Sequence, residues 1–127
     1  VPTQIICDEY KISQIIRNLL SNSIKFTLKD KKITVFLDPG ELRGQSDVKT
    51  IPAICIRVMD QGIGIPEEEL DSVFDKFVQS SKTKTGAGGT GLGLAICKEI
   101  IEAHNGKIWA ENNSEGGSTF SFMLPYE

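Results

Sequence analysis

Three groups of residues in this 127-residue chain have the types and spacing that binding a charged ligand requires. Asn18, Asn22 and Lys25 recur at i, i+4 and i+7, so they share one face of a helix. An amide oxygen is a hard, neutral ligand for Mg²⁺, which keeps several waters and takes phosphate oxygens for the rest. A lysine on the same stripe adds a point charge to those phosphates. The solvated face of an ordinary helix has this composition too.

The second group, Asp60-Gln61-Gly62-Ile63-Gly64-Ile65-Pro66, follows an apolar run. It sets a carboxylate at the end of a strand and two glycines where the backbone approaches something closely. An acceptor-only carboxylate there reads an exocyclic amine at a position where adenine presents one and guanine does not, so the loop would select ATP; an ordinary Asp-rich turn is the other reading. The third group, Gly88-Gly89-Thr90-Gly91-Leu92-Gly93-Leu94, ends a polar stretch and opens a helix. Backbone N–H groups and the positive end of a helix dipole converge there, as in a phosphate cradle, although glycine runs also serve as linkers. Lys82 and Lys84, just ahead, are placed to close over a polyphosphate or simply to solubilise a loop.

The elements that must position these residues follow from periodicity. Residues 5–7 read as a short strand, and Asp8 is the expected N-cap of a helix over 9–26, where no Gly or Pro interrupts and Ile12, Ile15, Ile16, Leu19 and Ser23 form the buried stripe. Residues 33–37 and 53–59 are β-branched and apolar, with Pro39, Gly40, Gly44 and Pro52 between them, which predicts two strands and a long polar connection. Pro66 and three glutamates predict a short helix to about residue 73, residues 79–90 a mobile loop, and 92–103 a helix stopped at Gly106. Strands over 107–111 and 119–124 close the chain about Gly116 and Gly117. Phe74, Phe77 and Trp109 read as packing residues, and His104, the single histidine, as a helix-end residue with a structural role. Helices on one face of a single sheet make a two-layer α/β sandwich.

Composition narrows the classes. With 17 acidic and 14 basic side chains, net charge -3 and no dense basic run, a nucleic-acid partner is not expected. No apolar run approaches the roughly 20 residues of a membrane span. Cys7, Cys55 and Cys97 are too far apart for a metal pair and read as small core residues in a reducing compartment. The chain, opening Val-Pro-Thr, is expected to be one domain cut from a longer protein. It has neither the strand-then-GxGxxG opening of a dinucleotide fold nor a P-loop.

Taken in order, Asn18-x-x-x-Asn22-x-x-Lys25-Phe26, Asp60-x-Gly62-x-Gly64, Phe74-x-x-Phe77 and Gly89-Thr90-Gly91-Leu92-Gly93-Leu94 resemble the four boxes of the sensor histidine kinase ATP-binding domain, within the superfamily of gyrase, Hsp90 and MutL. The resemblance implies a Bergerat-type sandwich, a mixed sheet with three helices on one face, binding ATP and Mg²⁺ beneath a flexible lid over 79–89. It implies Asn22 as the main metal ligand with Asn18 second, Lys25 on the phosphates, and Asp60 on the adenine amine. Gly62 and Gly64 would shape that pocket, Gly91 and Gly93 would border the phosphates, and Thr119 would support the base through water. Phe26, Ile65, Phe77, Lys82, Lys84, Gly89, Thr90, Leu92 and Leu94 complete the nucleotide site it implies.

Hydrolytic members carry a glutamate base where this chain has Asn18, and an amide cannot accept a proton from water. The kinase branch needs no such base, because its acceptor is a histidine on a separate dimerisation domain. The implied protein is therefore a monomeric, cytoplasmic catalytic fragment whose parent, with a possible membrane anchor, serves a response regulator. A hydrolytic ATPase and a nucleotide-sensing pseudokinase module are the alternatives.

Overall fold

A computed structural model describes residues 8–27, 31–43, 50–75 and 93–125. Helix α1, Glu9–Phe26, starts where the Asp8 side chain accepts the Lys11 N–H at 3.2 Å and ends where Thr27 turns extended and donates its N–H to the Ser23 carbonyl. Strands β1, Thr34–Arg43, and β2, Thr50–Met59, precede a single 3-10 turn at Glu67–Glu69. Helix α2, Gly93–Ala103, and strands β3, Lys107–Asn112, and β4, Ser118–Pro125, complete the described elements.

The sheet order is β1-β2-β4-β3, and each of its three ladders is antiparallel. Side chains alternate between faces along a strand, and Ile54, Val58, Phe120, Phe122 and Leu124 all fall on the face that meets the helices. There they join Ile12, Ile15 and Leu19 of α1 and Cys97, Ile100 and Ile101 of α2 in one buried core. Phe74 meets Phe120 edge to face at 6.1 Å. This is the two-layer α/β sandwich expected.

Details differ. The short helix expected from Pro66 is one 3-10 turn, continued by i to i+3 bonds such as Ser72 N–H to Glu69 and Asp75 N–H to Ser72, so among the described residues two α-helices and one tight turn stand where three helices were expected. Burial of Val73 and Phe74 holds this turn against the core. β1 and β2 run well past the expected ends, through Pro39 and Pro52, with Arg43 opposite Thr50. Pro39 is tolerated because β1 is the edge strand among the described residues, and Pro52 because pairing of β2 with β4 begins only at Ala53. The left-handed residue after α2 is Asn105, φ 61°, not Gly106. The strand expected at 5–7, which would decide whether the sheet is mixed, lies outside the described residues. Among the described residues no helix is long and apolar enough to cross a membrane.

His104 ties the two helices together. Its Nε2 accepts the Asp8 N–H at 3.1 Å and its Nδ1 donates to the Ile100 carbonyl at 2.9 Å, a pair of contacts that the neutral Nδ1–H tautomer satisfies.

Candidate functional site

β2 delivers Asp60 to the edge of the core, where it is only 3% exposed. A carboxylate at that depth needs donors. Its Oδ1 accepts the N–H of Gly62 at 2.9 Å and of Ser118 at 3.1 Å, and its Oδ2 accepts the Ser118 hydroxyl at 3.0 Å. The Asp60 backbone is held as well, its N–H by the Ser118 carbonyl and its carbonyl by Asn113 Nδ2, both at 2.9 Å. Gly117, at φ 84°, lies so close that a Cβ would sit 2.1 Å from the Asp60 carbonyl oxygen. Asp60 therefore caps its own turn through Gly62, and Oδ2, with one donor, keeps room for another.

Thr119, expected to support the base through water, does not face the Asp60 carboxylate. Alternation along β4 sends Ser118, Phe120 and Phe122 to one face and Thr119 to the other, where its hydroxyl donates to Asn113 Oδ1 and it lines an open-face cavity with Phe36, Asp38, Arg57 and Glu111. Ser118, its neighbour in β4, is the residue that faces Asp60. That exchange is legible in hindsight, because Phe120 and Phe122 mark the buried face of the strand.

The end of α1 meets the Asp60 loop through a bridge between Thr27 and Gly62, and the Lys32 N–H donates to Gln61 Oε1 at 2.9 Å. Asn18 and Asn22 are half-buried on this helix. Asn18 Nδ2 contacts Cys97 Sγ of α2 at 3.7 Å, and neither the Asn18 Oδ1 nor the Asn22 amide has a partner among the described residues. Burial pushes the Cys97 thiol up to about 11, so it stays protonated beside Asn18 at neutral pH. No group of three or more His, Cys, Asp or Glu side chains among the described residues could hold a metal. The donor set on α1 is thus two neutral amide oxygens, which fits Mg²⁺ completed by water and phosphate and does not fit zinc.

Gly93 opens α2 exposed, and a Cβ there would meet nothing within 4 Å among the described residues, at the end of the helix that carries the positive dipole. Leu94 is half-buried against the core. Gly62 and Gly64 are half-buried, and Ile65 belongs to the core at 8% exposure. The side chains of Lys25 and Phe26, together with Phe77, Lys82, Lys84, Gly89, Thr90, Gly91, Leu92 and the lid over 79–89, lie outside what the structure describes.

Residues 7–127 match the family described as histidine kinase-, DNA gyrase B- and HSP90-like ATPases. The sensor histidine kinase WalK of Bacillus subtilis is 40% identical over 121 residues, covering 94% of this chain and 18% of WalK. Histidine kinase 5 of Arabidopsis thaliana is 38% identical over 143 residues, covering 100% of this chain and 16% of that protein. The chain thus spans under a fifth of either relative. Among solved structures, the mycobacterial sensor histidine kinase MprB superposes with TM-score 0.78 at 27% identity, over 95% of this chain and 76% of that one. The nucleotide-free catalytic domain of histidine kinase ThkA gives 0.73 at 34%, over 94% and 70%. Full-length ShkA in complex with AMPPNP gives 0.72 at 28%, over 99% and 23%.

Proposed function

This chain belongs to the family of histidine kinase-, DNA gyrase B- and HSP90-like ATPases, and we propose that it is the catalytic domain of a sensor histidine kinase, passing the γ-phosphoryl group of MgATP to a histidine on a separate dimerisation domain. The observation that carries this reading is the buried Asp60 carboxylate, fixed by Gly62 and Ser118, beside an α1 stripe of amides with no carboxylate base.

Each role follows from chemistry. Asp60 Oδ2 accepts an N–H of the adenine amine, and Gly62, Gly64 and Ile65 wall the base. The oxygens of Asn22 and Asn18 hold Mg²⁺, which when bound neutralises phosphate charge. Lys25 adds a charge to the phosphates, and the N–H groups at the start of α2 face them from the other side. Residues 79–89, with Lys82 and Lys84 among them and Phe77 just ahead, would close over the nucleotide. Phosphoryl transfer asks the protein mainly for positioning and charge stabilisation, which this set supplies. Asn18 cannot serve as a base for water, and its N–H₂ is already committed to Cys97, which disfavours a hydrolytic ATPase.

The acceptor lies outside this chain. His104 is at the far end of α2 from Gly93, about 16 Å along the axis, whereas in-line transfer needs about 3–3.5 Å. Both of its ring nitrogens are already hydrogen-bonded. In the parent protein the phosphorylated histidine would in turn serve a response regulator.

The test is incubation with MgATP, alone and with the acceptor domain of the parent protein. Binding without self-phosphorylation, then transfer on adding the acceptor, with His104→Gln unchanged, is the expected result. Acid-labile phosphate on the chain alone that disappears in His104→Gln would refute it.

A further inference from the structure

Asn112, the last residue of β3, contributes a carboxamide that nothing in the proposed nucleotide site uses. It accepts the Ile65 N–H on Oδ1 at 2.9 Å and donates from Nδ2 to the Ile65 carbonyl at 2.6 Å, so one side chain satisfies both backbone polar groups of a residue 47 positions away. Ile65 lies in no ladder, and the amide stands in for a neighbouring strand. The same Oδ1 is 3.3 Å from where a Cβ on Gly64 would project, and Gly64 is at φ 75°, a left-handed geometry that only a held glycine keeps cheaply.

The register gives this contact its meaning. Asn112 pairs across the hairpin with Ser118, whose hydroxyl holds Asp60. Directly opposite residues of an antiparallel pair point to the same face. A single cross-strand pair therefore grips both ends of the loop from Asp60 to Ile65, while the bridge of Thr27 to Gly62 holds its middle.

Resting on the nucleotide reading above, we propose that Asn112 is a positioning residue: its carboxamide locks Gly64 and Ile65 into the wall that receives the adenine base, and so sets base affinity without touching the ligand. Preorganisation of this kind lowers the ordering cost of binding.

Asn112→Asp is the sharpest perturbation, being isosteric and still able to accept the Ile65 N–H while setting a carboxylate against the Ile65 carbonyl. Asn112→Ala removes both contacts. The measurements are the Kd for MgATP and for magnesium tripolyphosphate by calorimetry, at a temperature where circular dichroism shows each variant folded, together with amide hydrogen exchange at Ile65. Expected are an ATP affinity about 5- to 20-fold lower in each variant, faster Ile65 exchange, and tripolyphosphate binding as in the unmutated chain. Folded variants with faster Ile65 exchange and unchanged ATP affinity would overturn the inference while leaving the nucleotide reading intact. Equal losses for ATP and tripolyphosphate would overturn it as well, assigning Asn112 a general structural role. An unmutated chain that binds no ATP would overturn both.

Discussion

Replacing Asp60 with asparagine changes a charge and one acceptor but almost no volume, so the structure allows its effects on the fold and on the ligand to be separated. The carboxylate takes three donors: the N–H groups of Gly62 and Ser118 on Oδ1 and the Ser118 hydroxyl on Oδ2. An asparagine oxygen in the Oδ1 position keeps the first two. Its N–H₂ then faces the Ser118 hydroxyl, which rotates to accept, so the fold loses only the charge-assisted part of these bonds, about 1 kcal/mol. The adenine amine fares worse, because its N–H now meets another N–H donor. A hydrogen bond to a charged partner contributes about 1.5–3 kcal/mol, so ATP affinity should drop about 10- to 100-fold. Guanine offers a carbonyl at the same place, so the unmutated chain should prefer ATP over GTP and Asp60→Asn should narrow or invert that preference. Calorimetric titration with both nucleotides, beside thermal melts without ligand, reads each part. Equal ATP and GTP affinities in the unmutated chain would refute the reasoning and leave Asp60 an ordinary turn residue.

Asn22→Ala should weaken Mg²⁺-dependent nucleotide binding and abolish transfer while the fold survives; titrations with and without Mg²⁺ check this, and an unchanged magnesium dependence would remove Asn22 from the site. Gly93→Ala should leave the apo melting temperature unchanged or slightly raised, since a Cβ there meets no atom of the described residues and alanine is favoured over glycine in a helix by up to about 1 kcal/mol. Its ATP affinity should fall several-fold if phosphate fills that space. Because the Cys97 thiol is pushed from 9.0 to about 11 in the folded chain, the unfolded chain loses its proton first; stability should be full below pH 9 and decline between 9 and 11, by at most about 1–3 kcal/mol. Denaturant unfolding across that range should show a shallower decline in Cys97→Val.

Much of this protein is decided by sequence over short distances. Asp8 as the cap of α1, the uninterrupted run to Phe26 and the stripe from Ile12 to Ser23 are interactions within one or two turns, and the helix forms with those bounds. The same holds for Asp60 at the end of an apolar strand and for the turn at Gly116 and Gly117, both at positive φ. The partners of Asp60 were not legible in this way. That Ser118 rather than Thr119 holds the carboxylate depends on which face of β4 meets the helices, a one-residue question that register and burial settle. Asn112 and Asn113 fall between the strands expected over 107–111 and 119–124, where composition reports a turn and not what the turn touches; their contacts with Ile65 and Asp60 span 47 and 53 positions. Cys97 reads as a core residue, which it is, yet its neighbour Asn18 lies 79 positions away on another helix. Spacing along the chain sets which residues share a face, whereas only the packing of helix on sheet and strand on strand determines what that face meets.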